Sequence, residues 1–299
     1  MKKIEYYGDI KIDGVDITQK SKRKERQDFS NQGKFKDVNF KKSLGQNFLS
    51  DKNLLNKIAD YAEVNENDNV LEIGAGAGTL TDVLATRAKK VVSYEIDKTL
   101  KERLLAIETA HDNLNVVFED FMNVDLNTVF PNENFKVVAN IPYYITTPIV
   151  FKLMEISSKI STMIFMVQKE VAERFASKEN CKDYGITSVV LQSVADVTLK
   201  KVVKKECFTP APKVDSALIE IKINKDKYGI KNYKDFCDFV HKSFSMRRKT
   251  LVNNLLKNYS INKENIIKNL EKLNYAENVR PEQINVKNYV KLFNLLFNI

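Results

Sequence analysis

The sequence predicts an α/β protein with a seven-stranded sheet and a small all-helical C-terminal domain. Seven short apolar runs lie between residues 69 and 223, and most are separated by segments with helical spacing of apolar residues. A glycine-rich turn joins the first run directly to a helical segment, as in open α/β sheets. Beyond residue 230 the apolar residues recur only at helical spacing.

The strands are predicted where apolar runs are bounded by polar residues or glycine. These runs are residues 69–73, 90–94, 114–118, 135–139, 162–167, 197–203 and 217–223. Between them, apolar residues at helical spacing predict helices at 53–61, 79–88, 147–154 and 168–176. Residues 186–197 carry both helix and strand signals.

Three segments are predicted along the chain. Residues 1–40 form a basic N-terminal extension, which is either a disordered tail or an arm that grips phosphates. Residues 41–225 form the domain that carries the sheet. Residues 226–299 form the helical domain, after a polar linker.

The bulk composition limits the class of protein. The 299 residues carry a formal net charge of +9, which favours a polyanionic partner such as a nucleic acid. A Lys-, Asn- and Ile-rich composition from an AT-rich genome would give the same charge, so charge alone decides little. No apolar run approaches the ~20 residues of a membrane span, and no signal-peptide core is present. A cytoplasmic protein is therefore expected.

Cysteine and histidine usage gives no metal or disulfide signature. Cys181, Cys207 and Cys237 lie far apart along the chain, without a Cys-x-x-Cys pair. The two histidines, His111 and His241, do not have the spacing of metal ligands. No bound metal is expected.

A glycine-rich turn and a strand-end acid predict a site for a nucleotide-type cofactor. Gly74, Gly76 and Gly78 follow the first strand and let the backbone approach a ligand without a Cβ in the way. Glu95 ends the second strand about 20 residues further on, where a carboxylate meets ribose hydroxyls. The spacing is not the dinucleotide G-x-G-x-x-G, and Glu72 adds negative charge before the turn. Both features favour a sulfonium cofactor over a pyrophosphate.

The motif that begins at Asn140 follows the fourth strand and predicts a site for an exocyclic amine. Ile141 precedes Pro142, so its backbone is biased to extended geometry and its carbonyl can lie beside the Asn140 side-chain oxygen. Two adjacent acceptors suit an amine with two N–H bonds, and Tyr143 offers a flat face to the ring that carries it. Asp120, at the end of the third strand, is a candidate acceptor for an adenine amino group. An ordinary turn and a surface acid are the alternatives.

Several motifs, in the same order, resemble one known family. They are KKSLGQNFLSD from residue 41, LEIGAGAGTLT from 71, NIPYYITTP from 140, FTPAPKVDSALI from 208, MRRKTLVNNL from 246 and VRPEQI from 279. From about Phe40 onward the chain resembles the bacterial small-subunit rRNA adenine N6-dimethyltransferases of the RsmA/KsgA family. The Erm-type large-subunit rRNA methyltransferases share several of these motifs, but not the last two.

The resemblance implies a Rossmann-like class I methyltransferase fold with S-adenosyl-L-methionine as cofactor. The implied reaction is N6,N6-dimethylation of two adjacent adenines in the 3′-terminal hairpin of 16S rRNA, within an assembling 30S subunit. The alternatives are an Erm-type 23S rRNA methyltransferase and a mainly non-catalytic assembly or transcription factor. The implied cofactor-binding residues are Asn47, Leu49, Gly74, Gly76, Glu95, Asp120 and Asn140. The assignment of Leu49 rests on the resemblance alone.

The catalytic residues implied are Asn140, Ile141, Pro142, Tyr143 and Phe208. The two acceptors of the Asn140 motif would hold the adenine amine, while Tyr143 and Phe208 would sandwich the flipped base. Two prolines stiffen the loop that carries Phe208. No general base is required, since the proton becomes acidic only after methyl transfer.

A basic surface is predicted to hold the RNA through its phosphates, and the adenine would be recognised inside the pocket. The stretch from Met246 to Leu251 is predicted to be helical, and a monomer is expected. The candidate phosphate contacts are Lys200, Lys201, Lys204, Lys205, Arg247, Arg248 and Lys249.

Overall fold

The main feature of the fold is an open, seven-stranded sheet, seen in a computed structural model that describes residues 41, 44–246 and 248–297. The strands are β1 (Phe48–Leu49), β2 (Asn69–Ile73), β3 (Lys90–Tyr94), β4 (Leu114–Val117), β5 (Phe135–Asn140), β6 (Ile160–Gln168), β7 (Ala195–Val203), β8 (Phe208–Thr209) and β9 (Ser216–Ile223). From edge to edge, the sheet order is β4-β3-β2-β5-β6-β9-β7. The pairs from β4 to β6 are parallel, whereas β9 is antiparallel to both β6 and β7.

The predicted sheet is confirmed. β2 and β3 have the predicted bounds, and the other five strands differ by at most two residues at either end. The helices are α1 (Lys52–Tyr61), α2 (Thr79–Arg87), α3 (Lys101–Thr109), α4 (Thr146–Glu155), α5 (Lys169–Ala176), α6 (Ile186–Gln192), α7 (Tyr233–Ser243), α8 (Leu251–Asn258), α9 (Lys263–Lys272) and α10 (Val286–Phe297). None of them is long and apolar enough to cross a membrane.

Helices cover both faces of the sheet, which explains why its central strands are apolar throughout. Val70 and Val138 face a core that includes residues of α1, α2 and α3. Leu71 and Val137 point the other way, into a core that includes residues of α4 and α5. Side chains alternate along a strand, so each strand contributes to both cores. Each fully buried aliphatic side chain contributes roughly 1.5–3 kcal/mol.

Helices α7 to α10 pack around a third core, which extends to α6. Phe236, Phe239 and Tyr289 lie fully buried in it. The Tyr184 hydroxyl, just before α6, donates a hydrogen bond to the Ile284 carbonyl at 2.8 Å. The C-terminal helices are therefore fastened to the part of the chain that carries the sheet. The predicted domain boundary at residues 225 and 226 stays a prediction, and residues 1–40 lie outside the described residues.

A two-stranded sheet lies apart from the main one and was not predicted. Phe48 pairs with Thr209 and Leu49 with Phe208, in antiparallel register. The pair joins the segment that leads into α1 to the loop between β7 and β9. Residues far apart in sequence thus meet beside the glycine-rich turn.

The prediction of a helix from Met246 to Leu251 is wrong. α8 begins at Leu251, and the described residues before it form bends and a turn. The Asn254 side chain accepts the Met246 backbone N–H at 2.7 Å, and Thr250 caps α8. Such local side-chain hydrogen bonds compete with the helical backbone pattern. Arg247 lies outside the described residues.

Candidate active site

A cavity of about 290 Å³ opens at the carboxyl ends of β2, β3, β4 and β5. Each of these strands ends in a turn that contributes to the wall, as expected for ligand sites in open α/β sheets. The structure brings most of the predicted site residues together around this cavity: Asn47, Leu49, Gly74, Gly76, Glu95, Asp120, Asn140, Ile141, Pro142 and Tyr143.

The glycine turn after β2 has backbone angles that favour glycine, and at Gly76 it also has no room for a side chain. Gly74 and Gly76 both have positive φ, +80° and +55°. A Cβ on Gly76 would lie 2.8 Å from Phe48 Cε1, which is closer than real contacts allow. A Cβ on Gly74 would lie 3.5 Å from the Asn140 carbonyl oxygen. The turn is therefore a backbone cradle that faces the cavity, as the sequence predicted.

Glu95 is held rigidly at the end of β3. One carboxylate oxygen accepts the Gly76 N–H at 2.7 Å, and the other accepts the Asp97 N–H at 2.8 Å. Burial raises the pKa of Glu95, and the two backbone hydrogen bonds oppose that rise. The carboxylate is thus anchored to both the glycine turn and the turn after β3, with lone pairs left for ligand hydroxyls.

Among the described residues, the charged side chains that line the cavity are acidic. They are Glu95, Glu119 and Asp120. Asp120 also accepts the Met122 N–H at 2.9 Å and thereby caps a 3₁₀ turn, so its position is fixed by the backbone. An acidic pocket favours a cation over a phosphate. The glycine cradle and the acidic side chains together fit S-adenosyl-L-methionine, whose sulfonium is positive.

Glu72 lies behind the turn and not in the cavity wall. It is fully buried, and one carboxyl oxygen accepts the Ser93 hydroxyl at 2.5 Å. Burial raises the pKa of Glu72 to about 7, with the Ser93 hydrogen bond acting in the opposite direction. The predicted negative charge before the turn therefore comes from a carboxyl that is only partly ionised near pH 7.

The side chain of Asn140 has a defined orientation. Its amide nitrogen donates to the Asn47 carbonyl at 3.2 Å. Among the described residues, none donates to its side-chain oxygen, which leaves that acceptor open for a ligand N–H. Tyr143 is held by a 2.6 Å hydrogen bond between its hydroxyl and Ser216 Oγ. No sequence pattern predicts this role for Ser216.

Phe208 is not among the residues that line the cavity. Only 3% of its surface is exposed, and it packs in the core with the α1 and α2 side chains. It pairs with Leu49 across the two-stranded sheet, so it lies behind the cavity wall. Its stacking on a base stays a prediction and requires that the ring be uncovered.

Residues 44–49, which we name the capping segment, close one side of the cavity. The Thr79 hydroxyl, at the start of α2, donates to the Leu49 carbonyl at 2.8 Å. Near the other end, Gln46 Nε2 donates to Asp97 at 2.7 Å. Neither Thr79 nor Asp97 was predicted as a site residue. An acid two residues after the strand-end Glu95 is the sequence signal that could have identified Asp97.

The predicted basic surface is partly neutralised within the protein. Lys200 Nζ lies 2.9 Å from Glu220, and Lys204 Nζ lies 2.9 Å from Asp215. Lys249 is exposed. Lys201, Lys205 and Arg248 are also described, whereas Arg247 is not. The RNA contacts themselves stay predictions.

Fold and site together define a class of protein. A parallel sheet that ends in the antiparallel strands β9 and β7, with a glycine turn and an acidic strand-end pocket, is the arrangement of class I S-adenosylmethionine-dependent methyltransferases. The chain belongs to the ribosomal RNA adenine dimethylase family, whose sequence model matches residues 37–296. The predicted fold, cofactor and enzyme class are thereby confirmed.

Individual relatives agree with this family. The "Ribosomal RNA small subunit methyltransferase A" of Mycoplasma capricolum subsp. capricolum is 41% identical over 261 residues, covering 86% of this chain and 97% of that protein. The solved dimethyladenosine transferase of Plasmodium falciparum is 28% identical with a TM-score of 0.73, covering 84% of this chain and 97% of that one. The 23S rRNA methyltransferase ErmE is 29% identical with a TM-score of 0.69, covering 84% and 100%.

Proposed function

We propose that this enzyme methylates the N6 amine of adenine in small-subunit rRNA, twice on each of two adjacent adenines of the 3′-terminal hairpin. The observation that carries the proposal is the open side-chain oxygen of Asn140, fixed at the edge of an acidic cofactor cavity. The choice of subunit is supported by the 41% identity with the small-subunit methyltransferase of Mycoplasma capricolum, over 86% of this chain.

The adenine amine is a poor nucleophile, because its lone pair is delocalised into the ring. The Asn140 side-chain oxygen and the Ile141 carbonyl accept its two hydrogens and hold the nitrogen closer to tetrahedral geometry. Bound S-adenosylmethionine supplies an electrophilic methyl group. The hydrogen bond from the Asn140 amide nitrogen to the Asn47 carbonyl stops the amide from turning its donor toward the amine.

The base itself needs a stacking surface once it leaves the RNA stack. Tyr143 lines the cavity, and its ring is fixed by the hydrogen bond to Ser216. Phe208 forms the opposite side of the sandwich once the two-stranded sheet shifts to uncover it. The first methyl transfer leaves the amine a single N–H, so for the second transfer the amine depends on one of the two acceptors.

The RNA is held by its phosphates on the basic residues of β7 and of the turn before α8. Phosphate contacts position the RNA without reading its sequence, and the pocket selects adenine. The enzyme works in the cytoplasm as a monomer on an assembling 30S subunit.

The test is to offer the purified protein immature small subunits and protein-free large-subunit rRNA in separate reactions, with labelled S-adenosylmethionine. Label confined to small-subunit rRNA, recovered as dimethyladenosine by mass spectrometry, supports the proposal. Preferential labelling of the large-subunit rRNA would assign the enzyme to the Erm-type reaction instead. Stable binding to the small subunit without any methyl transfer would favour a non-catalytic assembly factor. The Asn140→Ala variant serves as the inactive control in all reactions.

A further inference from the structure

The Asp97 carboxylate, near the cavity, accepts four hydrogen bonds from the described residues. Its side chain is completely buried, although it lies on the turn that follows Glu95. Two hydrogen bonds reach it from outside its own turn: Lys41 Nζ at 2.6 Å and Gln46 Nε2 at 2.7 Å. Two more come from Thr99, whose N–H and hydroxyl donate at 3.0 and 2.7 Å.

One distant donor, Gln46, lies in the capping segment, and the other, Lys41, lies three positions before its first residue. They are also joined to each other, because the Lys41 N–H donates to Gln46 Oε1 at 2.8 Å. Lys41, Gln46 and Asp97 thus form a closed triangle of hydrogen bonds. We name this triangle the latch.

The latch differs in charge from the other hydrogen bonds that hold the capping segment. Asn140 holds the middle of the segment with one uncharged hydrogen bond, and its end is held by Thr79 and by the uncharged backbone pairing with β8. The latch includes a buried carboxylate paired with a lysine, and charge-assisted hydrogen bonds are about twice as strong as neutral ones. Loss of the latch would therefore free the start of the segment while the other end stays attached.

Asp97 is also hydrogen-bonded to Glu95, which lines the cavity. Its backbone N–H donates to one carboxylate oxygen of Glu95, and the other oxygen accepts the Gly76 N–H. Burial works to raise the pKa of Asp97, but the hydrogen bonds from Lys41, Thr99 and Gln46 together lower it to about 2. The side chain is therefore an anion at any working pH and a permanent partner for Lys41.

We propose that Asp97 is a positioning residue for the cofactor, because it locks the capping segment against the turn that presents Glu95. The inference rests on the assignment of S-adenosylmethionine to this cavity. Asp97 does not line the cavity, so it acts through the segment and through Glu95. The latch therefore governs how tightly the cofactor is held and leaves the methyl-transfer step to the Asn140 motif.

The matched control is Asp125→Asn. Asp125 caps a 3₁₀ turn by accepting a backbone N–H two residues on, as Asp97 does, but it contacts neither the capping segment nor the cavity wall among the described residues. The test variants are Asp97→Asn, Gln46→Met and Lys41→Met. An asparagine at position 97 turns an N–H toward donors, and the two methionines remove the donors without touching Asp97.

Three measurements test the latch, and the first of them does not depend on the assignment of the cofactor. Amide hydrogen exchange of residues 44–49 without cofactor should be faster in all three variants than in the wild type and in Asp125→Asn. The KM for S-adenosylmethionine should rise roughly ten-fold, the loss expected for one hydrogen bond to a charged group, while kcat at saturating cofactor stays within about two-fold. Calorimetric binding of S-adenosylmethionine should weaken by the same factor.

A comparison of cofactor binding in single and combined variants completes the test. In the Lys41→Met/Gln46→Met background, Asp97→Asn should weaken cofactor binding little further, because its partners are already gone. Full additivity would overturn the latch, and so would unchanged exchange of residues 44–49 in Gln46→Met. A loss of kcat with unchanged KM would also overturn the inference. Should Asp97→Asn fail to fold, the two methionine variants decide the outcome, and Lys41→Arg should restore tight binding.

Discussion

The side-chain nitrogen of Asn140 donates to the backbone carbonyl of Asn47 at 3.2 Å, across 93 positions of the sequence. The bond joins the residue that we propose as the acceptor for the adenine amine to the capping segment of the cavity. It also fixes which end of the Asn140 amide faces the cavity. In the proposed mechanism, both the adenine side and the cofactor side thus depend on one orientation of one side chain.

Asn140→Ala should lower kcat by about 100-fold or more, because the amine loses the acceptor that aims its lone pair. The fold should survive, since the residue lies half-buried at a strand end. Single-turnover methylation and a thermal melt check the two statements. Asn140→Asp keeps an acceptor but cannot donate to Asn47, so it should keep more activity than alanine. Near-normal turnover in Asn140→Ala would contradict the mechanism.

Gly78→Ala should destabilise the protein more than Gly229→Ala. Both glycines have positive φ, +77° and +63°, so both substitutions strain the backbone by about 1–2 kcal/mol. A Cβ on Gly78 would also overlap Ile107 Cδ1, whereas a Cβ on Gly229 meets nothing within 4 Å. The overlap should add roughly 1–3 kcal/mol of overpacking. Urea denaturation midpoints measure the difference, and equal losses would show that the half-buried Ile107 side chain reorients at little cost.

Glu72 should make the protein less stable as pH rises from 4.5 toward 7. Burial raises its pKa from 4.5 to about 7 in the folded state, so within this window the folded state holds a proton that the unfolded state has lost. The free energy of unfolding should therefore fall by at most roughly 3 kcal/mol across the window. Glu72→Gln should flatten this dependence, which urea denaturation at several pH values would show.

The exposed Glu133 provides the control for that experiment. Hydrogen bonding to Asn69 and the nearby lysines lower the pKa of Glu133 from its ordinary value of 4.5, so over most of this window it is ionised in both states. Glu133→Gln should leave the slope in the same window unchanged. Parallel slopes for Glu72→Gln and the wild type would mean that Glu72 is not the proton acceptor.

Binding to rRNA should weaken more in Lys249→Ala than in Lys204→Ala. Lys204 already pairs with Asp215 at 2.9 Å and must give up that partner to reach a phosphate. Lys249 has no ion pair with any residue of the described ranges. Its loss should reduce the slope of log affinity against log salt by about 1. Filter binding over a salt series measures both slopes, and an unchanged slope for Lys249→Ala would exclude this contact.

The sequence was sufficient for the sheet because its strands carry an unambiguous signal. The strand of Asn69 to Ile73 is buried on both faces and is followed at once by a glycine turn, so its bounds could be predicted to the residue. The stretch before α8 misled the prediction because its helical composition is overruled by Asn254 and Thr250, whose side chains bond the local backbone. No periodicity reveals such a local competition.

The site was predicted from residues that carry chemistry, and the residues that hold them in place were missed. Glu95 and Asn140 have recognisable positions at strand ends. Asp97, Thr79 and Ser216 act through partners that lie 30 to 73 positions away, as the Thr79–Leu49 and Tyr143–Ser216 hydrogen bonds show. Such pairings depend on the folded topology, which a pattern along the chain does not contain.

The antiparallel pairing of Phe48 and Leu49 with Thr209 and Phe208 limits where residues can be inserted into this chain or deleted from it. A shift of one position in a strand exchanges the faces of all its side chains. Asp51 caps α1, so one residue inserted between Leu49 and Asp51 would lengthen only the link between β1 and that helix. One residue inserted within either short strand would turn Leu49 or Phe208 away from the core. Deletions and insertions should therefore be tolerated beside this pair and not within it.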